Sequence, residues 1–312
     1  MENPASFEIK KELRNSLLWG KYLETFGWKH LTTKNNVLII YRRVFNLIGF
    51  IKIQRPEVVS QEDINELFVL IKKINGIFIE IEPRTKEQET LFLKNGFKKG
   101  DFPLLVSSTI ILSLQIDTNQ LWKNLSKIVR NSVRRSVREG FYVEMYQNPS
   151  NEILSLFSKV EAQTAKLKGF EAQKLSSLAL KRDLFKNECF IFILKSKEGE
   201  VAGGNFFLGY EGSVWYLHGA LVEKYRKSPA GYYILWRAIE LLKDKGYKTL
   251  DLEGKSDSRF PYKTLNWKGF SDFKQRFGGK IVEYPLPLDL KLSKALQLLH
   301  KHASGPTKVS NS

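Results

Sequence analysis

Cysteine is nearly missing from this sequence: its 312 residues include one, Cys189, set in the apolar run CFIFIL. A single thiol excludes an intrachain disulfide and any cluster of cysteine ligands, and a cysteine in such a run reads as packing. Histidine is almost as scarce, with His30, His218, His300 and His302. There is no HExxH and no carboxylate partner at ligand spacing, so no metal site is expected. His218, in WYLHGA, reads as a packed or cleft-lining residue. Neither GxSxG nor a P-loop occurs. Long apolar runs are missing as well. Nothing reaches about 18 consecutive apolar residues, the length a membrane-crossing helix needs. The opening MENPASFEIKKELRNS has no apolar centre and is not expected to act as a signal peptide. These absences lead to the expectation of a cytoplasmic protein, with peripheral contact to the membrane left open.

Acid is the other shortage. Asp and Glu number 33 against 50 Lys and Arg, a formal charge of +17. Such a surface attracts nucleic acid, anionic headgroups or phosphorylated substrates, and charge alone does not choose among them. The imbalance is sharpest in Leu121–Gly140, LWKNLSKIVRNSVRRSVREG, with six basic residues and one acid. At about 100° per residue the stretch reads as one amphipathic helix. Lys123, Lys127, Arg130, Arg134 and Arg138 form a basic stripe opposite Leu121, Leu125, Val129 and Val133. Gly140 stands where a C-terminal cap belongs. Lys127, Arg130, Arg134 and Arg138 are the candidates for binding nucleic acid or an anionic surface; a merely solvated face is the alternative.

The 42% apolar and 12% aromatic content argues for a folded chain. A helix is expected over FEIKKELRNSLLWGKYLETFGW. Strands VLIIYRR, IGFIKIQ and GIFIEIEP follow, with the helix QEDINELFVLIKKING between the last two. The helix KEQETLFLKNGF and the strand LLVSSTIILSL complete the N-terminal half. Beyond the basic helix come FYVEMYQ, a long helix, a meander of three apolar strands, the helix AGYYILWRAIELLKDKG and the strand KTLDLEG. IVEYPLPL and a terminal helix, LKLSKALQLLHKH, close the pattern. Strands alternating with helices indicate an α/β class, and both halves run in a similar order, as two related lobes would.

Strand, turn and helix in this order are how acetyl-CoA-dependent acetyltransferases cradle a pyrophosphate on backbone N–H groups. Here the turn is Arg226-Lys-Ser-Pro-Ala-Gly231. Pro229 occupies a glycine position, removing an N–H and fixing φ. The architecture is acetyltransferase-like, while the cofactor cradle is damaged. Asp251 and Glu253 in LDLEG fall on one side of a strand end, where they read either as a general base or as carboxylates that bind a nearby turn.

Four segments together resemble the FemABX family, the Fem-type aminoacyltransferases. Leu121–Gly140 is similar to the family's "LWxxLxxxxRxxIRxAxxxG" helix. SVWYLHGALV through SPAGYYILWRAIELLKDKGYKTLDLEG is similar to its "YxxGA…P…LLxWxxIxxAxxxGxxxYDFxG" run. Phe273-Lys-Gln-Arg-Phe-Gly-Gly279 resembles its "FKxxFGG" motif and leads into VEYPLPLDL. LLWGKYLETFGW and FIEIEP resemble weaker motifs of the N-terminal half.

The resemblance implies two tandem acetyltransferase-like (GNAT-like) lobes facing a cleft, each a mixed sheet flanked by helices, with no coiled-coil arm. The expected lobes are 1–116 and 117–286, with a helix at 287–303 packing back on the first and a disordered tail at 304–312. It implies transfer of an amino acid from aminoacyl-tRNA to the stem-peptide amine of a lipid-linked or nucleotide-linked peptidoglycan precursor. The expected enzyme is a monomer with no cofactor, and it works at the inner face of the membrane or free of it. Lys274 is implied as the cation that steadies the charge forming on the ester carbonyl. Tyr216 is implied as a substrate contact, and Lys21 as a contact to precursor phosphate or sugar. Glu82 takes the place of a family Asp before Pro and reads as a turn residue.

Two departures stand out. The family's Gly-Phe-x-x-Arg-x-x-x-Tyr becomes Gly169-Phe170-Glu171-Ala172-Gln173-Lys174, with Leu178 in place of the tyrosine. Lys174 is then the candidate phosphate contact, binding as a point charge without a guanidinium's fork. IQRP also lacks the glycine of the family's "RGP". Two other functions remain on the sequence alone: an acyl-CoA-dependent N-acyltransferase, and a non-catalytic RNA- or membrane-binding protein on the same scaffold.

Overall fold

The computed structural model describes residues 7–45, 48–169 and 171–292. The chain divides into two compact units, one built from Lys10–Ser107 joined by 283–292, the other from Ser108–Val282 joined by 7–9.

The N-terminal unit holds strands β1 (Lys29–Thr32), β2 (Leu38–Val44), β3 (Ile48–Gln54), β4 (Gly76–Glu82) and β5 (Lys98–Lys99), and helices α1 (Leu17–Glu24), α2 (Gln61–Ile74) and α3 (Lys86–Lys94). A late strand, β13 (Leu288–Lys291), inserts between β4 and β5 to give the order β1-β2-β3-β4-β13-β5. β3 and β4 run parallel with α2 as their crossover. Alternation puts Ile39, Ile51, Ile53, Ile79, Ile81 and Leu288 on one face, packed with Ile64, Leu67 and Ile71 of α2 and Phe92 of α3. Ser60 and Asp63 close a capping box at the start of α2, and Asn75 ends the helix in the left-handed region at φ 52°.

Two expectations change in this unit. The long first helix is only a 3-10 turn at Leu13–Asn15 and then α1, because the Ser16 hydroxyl accepts from Trp19 N–H and caps a new start. The helix read over 287–303 begins instead with strand β13, whose Leu288 and Leu290 fit the β4 register. The rest of that helix, from 293, and the tail at 304–312 lie outside the described residues.

The second unit contains β6 (Ser108–Ser113), α4 (Thr118–Asn124), α5 (Lys127–Arg138), β7 (Tyr142–Gln147), α6 (Asn151–Lys168), α7 (Leu175–Phe185), β8 (Cys189–Lys195), β9 (Val201–Tyr210), β10 (Ser213–Leu221), α8 (Ala230–Asp244), β11 (Thr249–Asp251), α9 (Pro261–Thr264), α10 (Lys268–Gln275) and β12 (Lys280–Glu283). Its sheet runs β12-β6-β11-β10-β9-β8-β7. β7 to β10 form the antiparallel meander, and β11 lies parallel to β10 after the α8 crossover. The strand β6, read with the first lobe, pairs with β11 in this second sheet.

One sheet face, with Phe190, Phe192, Phe207, Val214 and Leu250, is covered by Val129 and Val133 of α5 and by Ile234, Ala238 and Leu242 of α8. α6 packs on β8, β9 and β10. The longest helix among the described residues is α6, at 18 residues, and none is long and apolar enough to cross a membrane. The basic segment is two helices, not one. Leu125 is extended, and the Ser126 hydroxyl accepts from Val129 N–H to open α5. Lys123 therefore leaves the stripe.

Candidate active site

The parallel pairing of β10 with β11 ends at Trp215 and Asp251. β11 stops there while β10 runs on to Leu221, so the place beyond the pairing lies at the C-terminal end of β11, the usual side for ligands in α/β sheets. Tyr216 follows on one side and Leu252-Glu253-Gly254 on the other.

Lys274, on α10, reaches this place. It is 4% exposed. Its ammonium donates to the Gly254 carbonyl at 3.2 Å and, more closely, to the Glu253 carbonyl. It lies 4.6 Å from the Phe270 ring centre and 5.8 Å from that of Tyr216, within cation–π range. Burial pushes its pKa down to about 8, against the opposing pull of Glu253 and Asp251. Two carbonyls occupy two of its three N–H bonds, which leaves one for a substrate oxygen.

The loop that presents those carbonyls is tightly built. Asp251 accepts from the Thr109 hydroxyl and, at 2.7 Å, from Glu253 N–H. Thr109 also accepts from Gly254 N–H at 3.3 Å. Glu253 sits at φ 52°, a region that costs a non-glycine residue energy and gathers at functional sites. Asp251 is thus the turn-binding carboxylate, and the backbone of Glu253 meets the lysine.

The Phe273–Gly279 motif fixes α10. Phe273 lies 4.8 Å from Tyr232 and 5.4 Å from Phe277 between ring centres, and Phe277 is in the core. The Arg276 carbonyl accepts from Ser126 N–H at 2.8 Å. The motif's glycines admit neighbouring chain: a Cβ on Gly279 would stand 2.7 Å from the Ile111 carbonyl oxygen.

Tyr216 is partly exposed. Its ring stacks on Phe207 at 5.0 Å and its hydroxyl donates to Asn205 Oδ1 at 3.2 Å. Burial raises its phenol above the ordinary range. A bulge at Leu217 shifts the register, so Tyr216 pairs with Phe207 and His218 with Phe206. Consecutive residues of β9 point to opposite faces, so the bulge sends Tyr216 and His218 to opposite faces too. His218 lies edge-on to Phe206 at 5.8 Å, and its Nδ1 is 3.0 Å from Glu161 of α6. Burial holds His218 below its usual pKa, with the Lys181 charge adding to that and Glu161 opposing it.

The structure therefore brings Lys274 and Tyr216 together. Lys21, exposed on α1, belongs to the N-terminal unit. Lys174 is exposed at the N-cap of α7 and its side chain makes no capping bond. Among the basic residues, Lys127, Arg134 and Arg138 are exposed. Arg130 is drawn back, donating to the Leu125 carbonyl and to that of Lys123 at 3.1 Å, so it ties off the end of α4. Glu82 is 5% exposed and accepts from Leu105 N–H at 2.7 Å. Asn205 and Phe270 join the site without having stood out in the sequence, and Glu253, read there for its carboxylate, joins through its backbone carbonyl. For Asn205 there was a signal, a lone amide in the otherwise apolar AGGNFFLG.

The damaged phosphate turn is damaged in three dimensions as well. Pro229 is the N-cap of α8 and has no N–H, and the Ala230 N–H is turned to the Ser228 hydroxyl at 3.3 Å.

Mixed sheets flanked by helices, with the parallel pair β10 and β11 joined by the crossover helix α8, define the acetyltransferase-like class of fold. Residues 126–264 match the family model described as an acetyltransferase (GNAT) domain. Within that class the fold resembles the Fem type. The chain is similar to the crystal structure of FemX, with a TM-score of 0.79, 17% identity and coverage of 93% of this chain and 94% of that one. It is similar to L-PGS from Bacillus licheniformis, with a TM-score of 0.64, 16% identity and coverage of 98% and 99%. A tandem GNAT protein from the clavulanic acid biosynthesis pathway gives a TM-score of 0.52, 9% identity and coverage of 82% and 79%. No curated protein matches the sequence.

Proposed function

We propose that this chain is an aminoacyltransferase that takes an amino acid from aminoacyl-tRNA and joins it to the stem-peptide amine of a peptidoglycan precursor. The observation that carries this reading is Lys274: a buried ammonium held by two backbone carbonyls against Tyr216, where the parallel pairing of β10 and β11 ends. In the reaction the amine attacks the ester carbonyl carbon. A C–N bond forms, the bond to the ribose oxygen breaks, and that oxygen takes up the proton the amine sheds. The remaining N–H of Lys274 faces the oxyanion that forms between these steps. No cofactor enters, since the ester itself is the activated donor. The exposed cations of α5 supply attraction for the tRNA backbone.

The likeness to FemX supports the cell-wall acceptor. L-PGS, and the C-terminal domain of a putative lysylphosphatidylglycerol synthetase from Agrobacterium fabrum, whose TM-score is 0.64 at 13% identity, keep a lipid acceptor in the test. The family-model match favours acyl-CoA as a second donor reading; Pro229 and the occupied Ala230 N–H speak against it.

The test mixes the protein with charged total tRNA and an undecaprenyl-linked precursor, a nucleotide-linked precursor or phosphatidylglycerol, and follows transfer by mass spectrometry. Transfer to either precursor is expected. Lys274→Ala should lower the single-turnover rate on the order of 10²–10³-fold with tRNA affinity within a few fold, and Lys274→Arg should recover little. Wild-type transfer from acyl-CoA alone, or a Lys274→Ala rate equal to wild type, would remove this assignment.

A further inference from the structure

Asn205 stands in the middle of β9, 3% exposed. Its Oδ1 accepts the Tyr216 hydroxyl at 3.2 Å, so its Nδ2 is the donor left over. That nitrogen is buried and has no hydrogen-bond partner among the described residues. A buried amide donor is nearly always satisfied. Across the ladder its register partner is Gly219, which has no side chain to meet it. A Cβ there would come within 3.1 Å of Asn205 Oδ1 and collide with Tyr216 Oη. The Tyr216 hydroxyl fills the place a side chain would take at Gly219, so glycine is what lets the phenol lie beside Asn205. The Lys274 ammonium lies by the same Tyr216 ring.

We infer that Asn205 is a second catalytic donor, its Nδ2–H bonding the carbonyl oxygen of the transferred aminoacyl group and strengthening that bond as the oxygen becomes an oxyanion. The inference rests on the proposed transfer and adds to it a residue in direct contact with the reacting atoms. The chemistry fits the group. A neutral amide gives up no proton, and the C–N bond still forms as the ribose C–O bond breaks. Lys274, with two N–H bonds held by carbonyls, has one left, and paired donors are how tetrahedral oxyanions are held. The same amide's Oδ1 holds the tyrosine, so one side chain both fixes Tyr216 and presents a donor beside it. A residue that only positioned Tyr216 would need the acceptor oxygen alone.

That difference gives the test. Asn205→Asp keeps an acceptor for Tyr216 and removes the N–H donor; Asn205→Ala removes both. Both should transfer on the order of 10²-fold more slowly than wild type in single turnover from charged total tRNA. Both should bind a tetrahedral phosphonate analogue of the aminoacyl-adenosine at least about tenfold more weakly, with binding of the planar amide analogue within about threefold. The analogues carry the amino acid the wild type transfers. Asn205→Ser, which retains a shorter donor, should recover part of the loss and serves should the alanine variant not fold. An aspartate variant with wild-type rate and phosphonate affinity overturns the inference and leaves the function standing. A wild type that transfers nothing overturns both.

Discussion

A β-carbon on Gly219 would lie 1.7 Å from the hydroxyl oxygen of Tyr216. The two residues are three apart on one bulged strand, and the glycine is the floor on which the phenol rests. The YxxGA motif is thus one structural device rather than two adjacent preferences. Gly219→Ala should expel Tyr216 from its place, cost about 1–3 kcal/mol of stability as an overpacked site, and lower transfer more than about tenfold. Gly269→Ala in α10, where a Cβ meets nothing within 4 Å, should leave transfer unchanged. Thermal melting and single-turnover rates on both variants check this; a fully active Gly219→Ala would show that the Tyr216 position is dispensable.

Lys274 sets a pH limit. Burial lowers it to about 8, so above that pH the folded protein progressively holds a neutral amine. A neutral amine is a weaker partner for an oxyanion than an ammonium. The transfer rate should therefore fall as pH rises through about 8, once the acceptor amine is saturating. In Lys274→Arg the residual rate should lack this descending limb, because a guanidinium keeps its charge throughout the range. A descending limb that is unchanged in the arginine variant would assign it to another group.

Lys127, Arg134 and Arg138 are exposed on α5, whereas Arg130 is spent on the α4 carbonyls. Replacing the first three by Gln should weaken tRNA binding and reduce the slope of log K against log salt by about 2–3, at roughly 0.7–0.9 for each phosphate no longer neutralised. Stability should move by only tenths of a kcal/mol. Arg130→Gln should do the reverse: a lower melting temperature, from carbonyls left without their donor, and an unchanged slope. Titrations between about 50 and 300 mM salt separate the two. A slope that does not move in the triple variant would leave α5 as a solvated face.

Much of this was legible in the chain. Alternating Ile in IGFIKIQ and GIFIEIEP announced a sheet face, and Pro229 announced the loss of the phosphate cradle. Lys274 and Tyr216 were picked out by motif. The places that were not legible share a cause: short side-chain-to-backbone bonds outweighed periodicity. Ser126 and Arg130 cut the basic helix in two, though the apolar spacing runs straight through. Ser16 and Glu12 did the same to the first helix. The Leu217 bulge is invisible to a two-residue period, which by itself would set Tyr216 and His218 on one face. Asn205 carried no motif. Its meaning depends on Gly219 and Tyr216 from the next strand, a relation that exists only once the register is known.

The other face created by that bulge makes its own prediction. His218 is 4% exposed and Glu161 2% exposed, with Nδ1 and Oε1 3.0 Å apart. Despite this carboxylate, and a smaller favourable pull from Glu253, burial and the Lys181 charge keep the imidazole below its usual pKa. In the unfolded chain histidine titrates near about 6.5. Between that value and the lower folded one the unfolded state binds more protons, so stability must fall with falling pH. The contribution is complete above about pH 6.5 and is lost on acidification, at no more than about 1.4 kcal/mol per pH unit for one proton. His218→Gln removes the titrating group. The variant should therefore lose less stability than wild type between about pH 7.5 and 5.5, measured by denaturant unfolding at each pH. Equal losses in the two proteins would mean that the imidazole titrates alike folded and unfolded, and that burial beneath α6 is offset in full by Glu161.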